Sequence, residues 1–171
     1  MPSHKTSLRE FQTYLAGRLN QAVAGQATAF WLGIESGGEH WLVDLCDGGE
    51  IIPAPQISPV PLTRPWFAGV ANIRGTLYAV SDFSAFRGLP ATPRNAQARL
   101  LLVGARHGIN AGLLVGRTLG LKNPQTFVES AALPRAPHWA GRRYADAQGR
   151  LWHKLDVRAL LAHPEFMNIA T

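Results

Sequence analysis

Histidine and cysteine are the residue types most often used for metal binding and acid–base or nucleophilic catalysis, and this chain has six histidines and one cysteine. His153 and Asp156 are the one pair whose spacing suggests joint action. A metal site needs three or four converging ligands, and no second His or Cys pair stands at zinc-finger or zinc-protease spacing. Cys46 has no protease-like signature around it, and a lone cysteine is usually a small buried apolar residue. The sequence therefore predicts no catalytic residues, no metal and no cofactor; an enzyme that uses His153 and Asp156 is the weakest alternative.

The formal net charge of +6 raises the question of nucleic-acid binding. The arginines are spread evenly along the chain, and Arg142–Arg143 is the only adjacent Lys/Arg pair. Surfaces that follow phosphates usually gather their cations on one stripe, interleaved with stacking aromatic residues. We therefore expect a solvated basic surface, compatible with acidic protein partners, and no nucleic acid. A β-barrel that binds nucleic acid is kept as the alternative function.

The stretch 6–24 has the periodicity of an amphipathic helix, and Gly25 stands where helices commonly end. Its apolar residues recur at steps of three and four and share one face: Leu8, Phe11, Leu15, Leu19 and Val23. No apolar run approaches the roughly 18 residues of a membrane span, and the first residues lack the apolar stretch of a signal peptide. With a single cysteine, no internal disulfide forms. These features predict a cytoplasmic protein.

After Gly25, short apolar runs rich in β-branched and aromatic residues alternate with glycine and proline, a pattern typical of short strands. The predicted strands are 28–34, 39–45, 50–57, 69–73, 76–83, 98–106, 109–116, 118–122 and 149–155. A closing helix is predicted over 156–163, stopped by Pro164. Nine or ten short strands separated by turns favour β-barrels over alternating strand–helix units.

The segment 69–83 carries the strongest functional signal. Asn72 and Gly75 tolerate turn conformations, so the spacing predicts a tight turn from which Arg74 projects at the end of a barrel. The residues after this turn alternate in polarity as the wall of a barrel does. Glu50 and Arg74 also have simpler explanations, because Glu50 could pair with any nearby arginine and Arg74 could cap backbone carbonyls.

With these residues in view, the chain resembles the CheW-like family, the coupling proteins of bacterial chemosensory arrays. The resemblance rests on Glu50-Ile51, Ile57, Pro61, the G-V-x-N-[LI]-R-G pattern at 69–75, the V-x-D-[LF] pattern at 80–83, Gly112 to Val115, and Gly149 to Leu161. It covers about residues 28–163. With the added amphipathic segment at its start, the chain is most similar to the PilI-type adaptors of type IV pilus, or twitching, systems.

The resemblance implies a mostly β fold of two small five-stranded SH3-like barrels packed around a shared core. In that arrangement, residues 1–25 are an N-terminal helical extension and 26–165 a CheW-like domain. Its barrels occupy roughly 38–88 and 97–160, and 166–171 form a tail. The implied function is a non-enzymatic adaptor that controls pilus-driven motility, located at a membrane-attached receptor array through its receptor and not by its own insertion.

Two partners follow from the resemblance: the regulatory domain of a chemotaxis-type histidine kinase, at one barrel end, and the cytoplasmic tip of a methyl-accepting chemoreceptor, in a groove between the barrels. Carried over by position, the partner-binding residues are Glu50, Gly69, Asn72, Arg74, Gly75, Asp82 and Val115. Among them, Gly69 is expected to let a partner's backbone approach. One departure lies beside Val115, where the family usually has aspartate and this chain has Gly116 followed by Arg117.

Overall fold

The computed structural model describes residues 30–171 together with Gln12. Apart from Gln12, the helix predicted over 6–24 lies outside the described residues. The described strands are β1 (Trp31–Ser36), β2 (Glu39–Asp44), β3 (Gly48–Pro53), β4 (Phe67–Ile73), β5 (Thr76–Asp82), β6 (Arg99–Val103), β7 (Ala111–Val115), β8 (Arg117–Lys122), β9 (Val128–Ser130), β10 (Arg142–Ala145) and β11 (Leu151–Leu155). The described helices are short: α1 (Phe83–Phe86), α2 (Val157–Leu161) and α3 (Pro164–Met167).

Five consecutive strands form one sheet in the order β3–β6–β7–β5–β4. Its two edges are joined, because Ser58, which follows β3, pairs with Val70 of β4. The side chain of Arg74, in the β4–β5 turn, also hydrogen-bonds to Glu50 of β3. The sheet therefore closes into a barrel, here called the first barrel. Its interior is filled by Ala71, Ile73, Val80, Leu100, Leu102 and Leu114.

The remaining six strands form the second sheet, in the order β8–β1–β2–β11–β10–β9. It curls around a small core of Leu42, Tyr144 and Trp152. Leu119 of β8 and Phe127, just before β9, pack against this same core, so both edges of the sheet reach it. We call this unit the second barrel.

The outer faces of the two barrels pack against each other and bury a third and larger apolar cluster. It combines residues of β6 and β7 from the first barrel with residues of β1, β2 and β11 from the second, and α1, α2 and α3 close it. Its members include Ile34, Trp41, Val43, Phe83, Leu101, Leu113, Val115, Leu155 and Leu160. Burial of this apolar surface, worth about 25 cal/mol per Å², holds the two barrels together.

The mostly β architecture predicted from the sequence is confirmed, with one sheet a strand larger than expected. The prediction missed β9 and β10: β9 has only three residues, and in β10 the single buried residue Tyr144 leaves little alternation to detect. It also missed α3, because Pro164 begins a new helix as well as ending the previous one.

The strand pairing differs from the predicted division of the barrels at 38–88 and 97–160. β6 pairs with β3, so β6 and β7 belong to the first barrel although the predicted division assigns them to the second. The first barrel is thus inserted between β2 and β8 of the second. The expectation that Cys46 is buried is also wrong, since it lies exposed in the turn between β2 and β3.

Candidate functional site

The turn between β4 and β5 has the tight geometry that its sequence predicts. Ile73 pairs with Thr76, which leaves Arg74 and Gly75 as the two turn residues, with φ angles of +50° and +84°. Positive φ at both positions suits the twist of two-residue hairpins. The side-chain Oδ1 of Asn72 accepts a hydrogen bond of 2.9 Å from the Gly75 backbone N–H. Asn72 and Gly75 therefore shape the turn and hold Arg74 at its tip.

Arg74 and Glu50, both predicted as binding residues, lie together as an ion pair. The Arg74 guanidinium donates two hydrogen bonds to the two carboxylate oxygens of Glu50, at 3.0 and 2.5 Å. The arginine side chain is 68% exposed and that of Glu50 30% exposed. The hydrogen bond from Arg74 lowers the pKa of Glu50, and the same hydrogen bond to Glu50 raises the pKa of Arg74. Because solvent screens such pairs, this one stabilises the fold little and remains accessible to a partner.

An exposed apolar side chain lies three residues after Arg74 in the same hairpin. Leu77 lies opposite Asn72 across the hairpin and is 59% exposed. Leu77 is not among the predicted binding residues, because the alternating pattern assigns it to the wall of a barrel. The end of a strand next to a hairpin turn extends beyond the packed interior of the barrel. The closeness of Leu77 to the turn could therefore have predicted its exposure. We call Glu50, Arg74 and Leu77 the hairpin tip.

Gly69 adopts φ +132°, a conformation that other residues rarely take. A Cβ atom there would lie 2.1 Å from the carbonyl oxygen of Ser58, in the segment that closes the first barrel. The backbone that approaches Gly69 is therefore the chain's own. Contact with a partner's backbone at this position remains a prediction.

Two of the predicted binding residues have buried side chains. Asp82 is 4% exposed and caps α1 by accepting hydrogen bonds from the backbone N–H groups of Ser84 and Ala85. Its carboxylate also accepts bonds of 2.8 Å from the backbone and the hydroxyl of Thr92. Val115 is fully buried in the core between the barrels. Neither side chain is available for direct contact with a partner, and an aspartate just before a helix is a known signal of capping.

The departure beside Val115 is accommodated by β1. The backbone N–H of Gly116 donates to the carbonyl of Glu35 at 2.9 Å. Arg117 pairs with the Glu35 carboxylate at 2.5 Å. The positive charge introduced here is thus matched by an acidic side chain of the neighbouring strand.

The residues that suggested catalysis serve the fold. His153 is partly buried and stacks on Trp41 with ring centroids 4.7 Å apart, and burial lowers its pKa. Asp156 caps α2 by accepting a hydrogen bond from the Ala159 backbone N–H. Over residues 30–171, no group of three His, Cys, Asp or Glu side chains is arranged to hold a metal ion.

Many basic side chains form pairs with acidic ones on separate elements. Carboxylates lie within 4 Å of Arg74, Arg87, Arg106, Arg117, Arg142 and Lys154. Arg106, Arg142, Lys154 and Arg158 line one cavity, but Asp44, Asp47 and Asp156 line it too. This mixed lining differs from the stripe of cations that follows phosphates. None of the described helices combines the length and the apolar character that crossing a membrane requires.

Comparison with known proteins agrees with this architecture. Residues 31–165 match the family model of the CheW-like domain. Protein PilI of Pseudomonas aeruginosa is 29% identical over 154 residues, which cover 85% of this chain and 83% of PilI. The crystal structure of scaffolding protein TtCheW from Thermoanaerobacter tengcongensis aligns with a TM-score of 0.63, covering 76% of this chain and 90% of that one. At 16% identity, this likeness shows the shared fold. Because the family match spans most of the chain, including both barrels and the hairpin tip, the protein belongs to the CheW-like family.

Proposed function

We propose that this protein is a non-enzymatic adaptor that couples the cytoplasmic tip of a methyl-accepting chemoreceptor to a chemotaxis-type histidine kinase. We further propose that the array it joins controls type IV pilus twitching motility. The observation that carries the proposal is the similarity to PilI, which extends over 85% of the chain and 83% of that protein.

The hairpin tip is the proposed contact for the kinase regulatory domain. It presents the charged pair of Arg74 and Glu50 and, three residues after Arg74 in the same hairpin, the exposed apolar side chain of Leu77. Protein interfaces commonly combine an apolar contact with arginine-mediated hydrogen bonds. The closed first barrel and the tight turn hold these groups in place before binding, which reduces the entropy lost on association.

The receptor tip is proposed to bind at the rim between the barrels, where Gly116 and Arg117 follow the buried Val115. Val115 contributes there by supporting the strand from within. The two partners thus bind separate faces of one compact unit, and the unit fixes the geometry through which a receptor alters kinase activity. Modest individual contacts suffice, because an array multiplies weak interactions. The protein then acts in the cytoplasm and approaches the membrane through its receptor.

A binding assay with the purified kinase regulatory domain tests the kinase contact. We expect Arg74→Glu to weaken binding about tenfold or more, which corresponds to about 1.4 kcal/mol. Arg142→Glu is the matched control, because Arg142 also forms an exposed pair, with Glu129, but lies in the second barrel. Unchanged binding by Arg74→Glu would remove Arg74 from the proposed interface.

A charge exchange separates partner contact from barrel closure. The double variant Glu50→Arg/Arg74→Glu restores an ion pair across the barrel edges but reverses the charges that a partner meets. If Arg74 contacts the kinase, the double variant remains defective in binding. If binding returns to normal, the pair acts by closing the first barrel, and the direct contact is wrong.

The cellular output requires a motility assay. We expect deletion of the gene to abolish twitching and the wild-type gene to restore it, while Arg74→Glu does not restore it. Twitching that persists after deletion would contradict control of pili.

A further inference from the structure

Arg87 lies where the two barrels meet. It follows α1, at the end of the first barrel's β5, and its side chain is only 8% exposed. Arginine keeps its charge in proteins, so burying this group requires that its donors be satisfied. Burial lowers the pKa of Arg87, and the nearby carboxylate of Glu39 opposes that effect.

The donors of Arg87 are shared between the barrels. On the side of the second barrel, Nη2 donates to the carbonyl oxygen of Ser36 at 2.7 Å and to its hydroxyl at 3.1 Å. Nη1 donates to the Glu39 carboxylate. On the side of the first barrel, Nε donates to the carbonyl oxygen of Phe83 at 3.3 Å. The flat faces of the guanidinium are used too, with its carbon 4.9 Å from the ring of Trp41 and 4.8 Å from that of Phe83.

The β1–β2 turn of the second barrel also contacts the first barrel closely. Gly37, in the β1–β2 turn, has φ +59°. A Cβ atom there would lie 2.7 Å from Leu89 Cδ1, 2.8 Å from Ser84 Oγ and 3.0 Å from Arg87 Nη2. The backbone of this turn therefore rests directly on α1 and the residues after it. We call Ser36, Gly37, Glu39 and Arg87 the junction latch.

The first-barrel side of the latch is itself held firmly. The Asp82 carboxylate accepts two hydrogen bonds from backbone N–H groups at the start of α1 and two from Thr92, and so ties this helix to the loop after it. The hydroxyl of Ser84 donates to the carbonyl of Pro90 at 2.7 Å. Arg87 thus extends from a braced segment, and its position relative to the first barrel is well defined.

The side chain of Arg87 is buried and that of its partner Glu39 is 43% exposed. Such a pair is a poor source of stability, because removing the guanidinium from water offsets most of the attraction. The apolar core between the barrels already supplies cohesion. Apolar contacts allow packed elements to slide by small amounts, whereas directed hydrogen bonds from a planar guanidinium fix orientation. The latch is therefore suited to setting the angle between the barrels.

We propose that Arg87 is a positioning residue that fixes the angle between the two barrels and so the spacing of the two docking faces. This inference rests on the proposed adaptor function, in which the kinase and the receptor bind different faces. Loss of the latch then leaves each partner's own contacts in place and weakens the communication between them.

The geometric part is tested with the full-length protein by electron-paramagnetic-resonance distance measurement. Spin labels are placed at Gln97→Cys in the first barrel and Gln148→Cys in the second, both exposed, in a Cys46→Ser background. We expect a narrow distance distribution with Arg87 present. Arg87→Met keeps the aliphatic packing but loses the guanidinium donors, so its distribution should be broader or shifted. Arg87→Lys, which keeps the charge, should give an intermediate distribution. Identical distributions for all three proteins overturn the proposal.

The functional part uses reconstituted receptor, kinase and adaptor. With Arg87→Met, we expect binding of each isolated partner within about twofold of wild type and a receptor-dependent change in kinase activity reduced about tenfold. Full coupling by Arg87→Met overturns the proposal. If Arg87→Met fails to fold, Arg87→Lys and Glu39→Gln carry the same comparison. If the wild-type protein binds neither partner, the adaptor function fails, while the distance measurement still decides the role of Arg87.

Discussion

Arg74 and Arg87 both extend from the first barrel and both pair with a glutamate. Arg74 lies at the hairpin tip with its side chain 68% exposed, whereas the side chain of Arg87 is 8% exposed between the barrels. The pKa of Arg74 is raised by its carboxylate partner, and that of Arg87 is lowered by burial. Water surrounds the first guanidinium and is excluded from the second. Exposure therefore decides whether an arginine is available for recognition or is committed to orienting the fold.

The largest expected effect on stability comes from removing the buried arginine. Arg87→Ala leaves the carbonyl oxygens of Ser36 and Phe83 without this donor and opens space beside Trp41. We expect the free energy of unfolding to fall by about 3 kcal/mol, measured by urea denaturation. The control Arg142→Ala, which breaks an exposed pair, should lower it by less than about 0.5 kcal/mol. Equal effects of the two variants would contradict the distinction between buried and exposed arginines.

The β1–β2 turn offers a matched pair of glycines for testing the close approach at the junction latch. Gly37 and Gly38 both have positive φ, but a Cβ atom meets neighbouring side chains only at Gly37. Alanine at Gly38 should therefore lower the free energy of unfolding by about 1 kcal/mol, the cost of a left-handed backbone conformation for a residue with a Cβ atom. Alanine at Gly37 should destabilise by about 2 kcal/mol, because Leu89 and Arg87 must also shift. Equal losses in thermal or urea unfolding would argue against a tightly seated turn.

His153 in the second barrel and the Glu50–Arg74 pair at the hairpin tip should respond to acid at different pH values. Burial lowers the pKa of His153 below its usual 6.5; among its neighbours, Glu39 raises this pKa and Arg143 and Arg87 lower it. The unfolded chain therefore takes up the proton first, and stability is lost as the pH falls below about 6.5 through the folded pKa. At the hairpin tip, Arg74 lowers the pKa of Glu50 below 4.5, so that pair weakens only below about pH 4.5.

His153→Gln tests this assignment. We expect the variant to lose part of the decline in stability between pH 7.5 and 5, measured by urea denaturation at each pH. The pKa of His40 is also lowered by burial, so it contributes a slope of the same sign, and His40→Gln serves as a parallel variant. A decline unchanged in both variants would show that neither histidine is responsible.

The smallest effect on stability is expected at the hairpin tip. Arg74→Gln breaks a pair that solvent already screens, so the melting temperature should stay within about 2 °C of wild type. The same variant should weaken binding of the kinase regulatory domain. A large fall in melting temperature with normal binding would give Arg74 a role in closing the barrel instead.

Part of the candidate site could be predicted because its geometry is local. Asn72 and Gly75 lie within three residues of each other, and a tight hairpin follows from their residue types. Asp82 and Val115 belong to family patterns and are predicted as partner-binding residues, yet both are buried. A family sequence pattern includes both residues that contact a partner and residues that support the fold, and the pattern does not distinguish the two.

The mostly β architecture, most strand positions and the turn that carries Arg74 follow from the sequence alone, because strand alternation and turn chemistry depend on residues a few positions apart. Two pairings depend on the tertiary structure: Arg74 pairs with a glutamate 24 residues away, and Arg87 donates to a backbone carbonyl 51 residues away. The tertiary structure also assigns β6 and β7 to the first barrel. These pairings arise when sheets close and barrels pack, and closure brings together residues whose separation along the chain leaves no local signal.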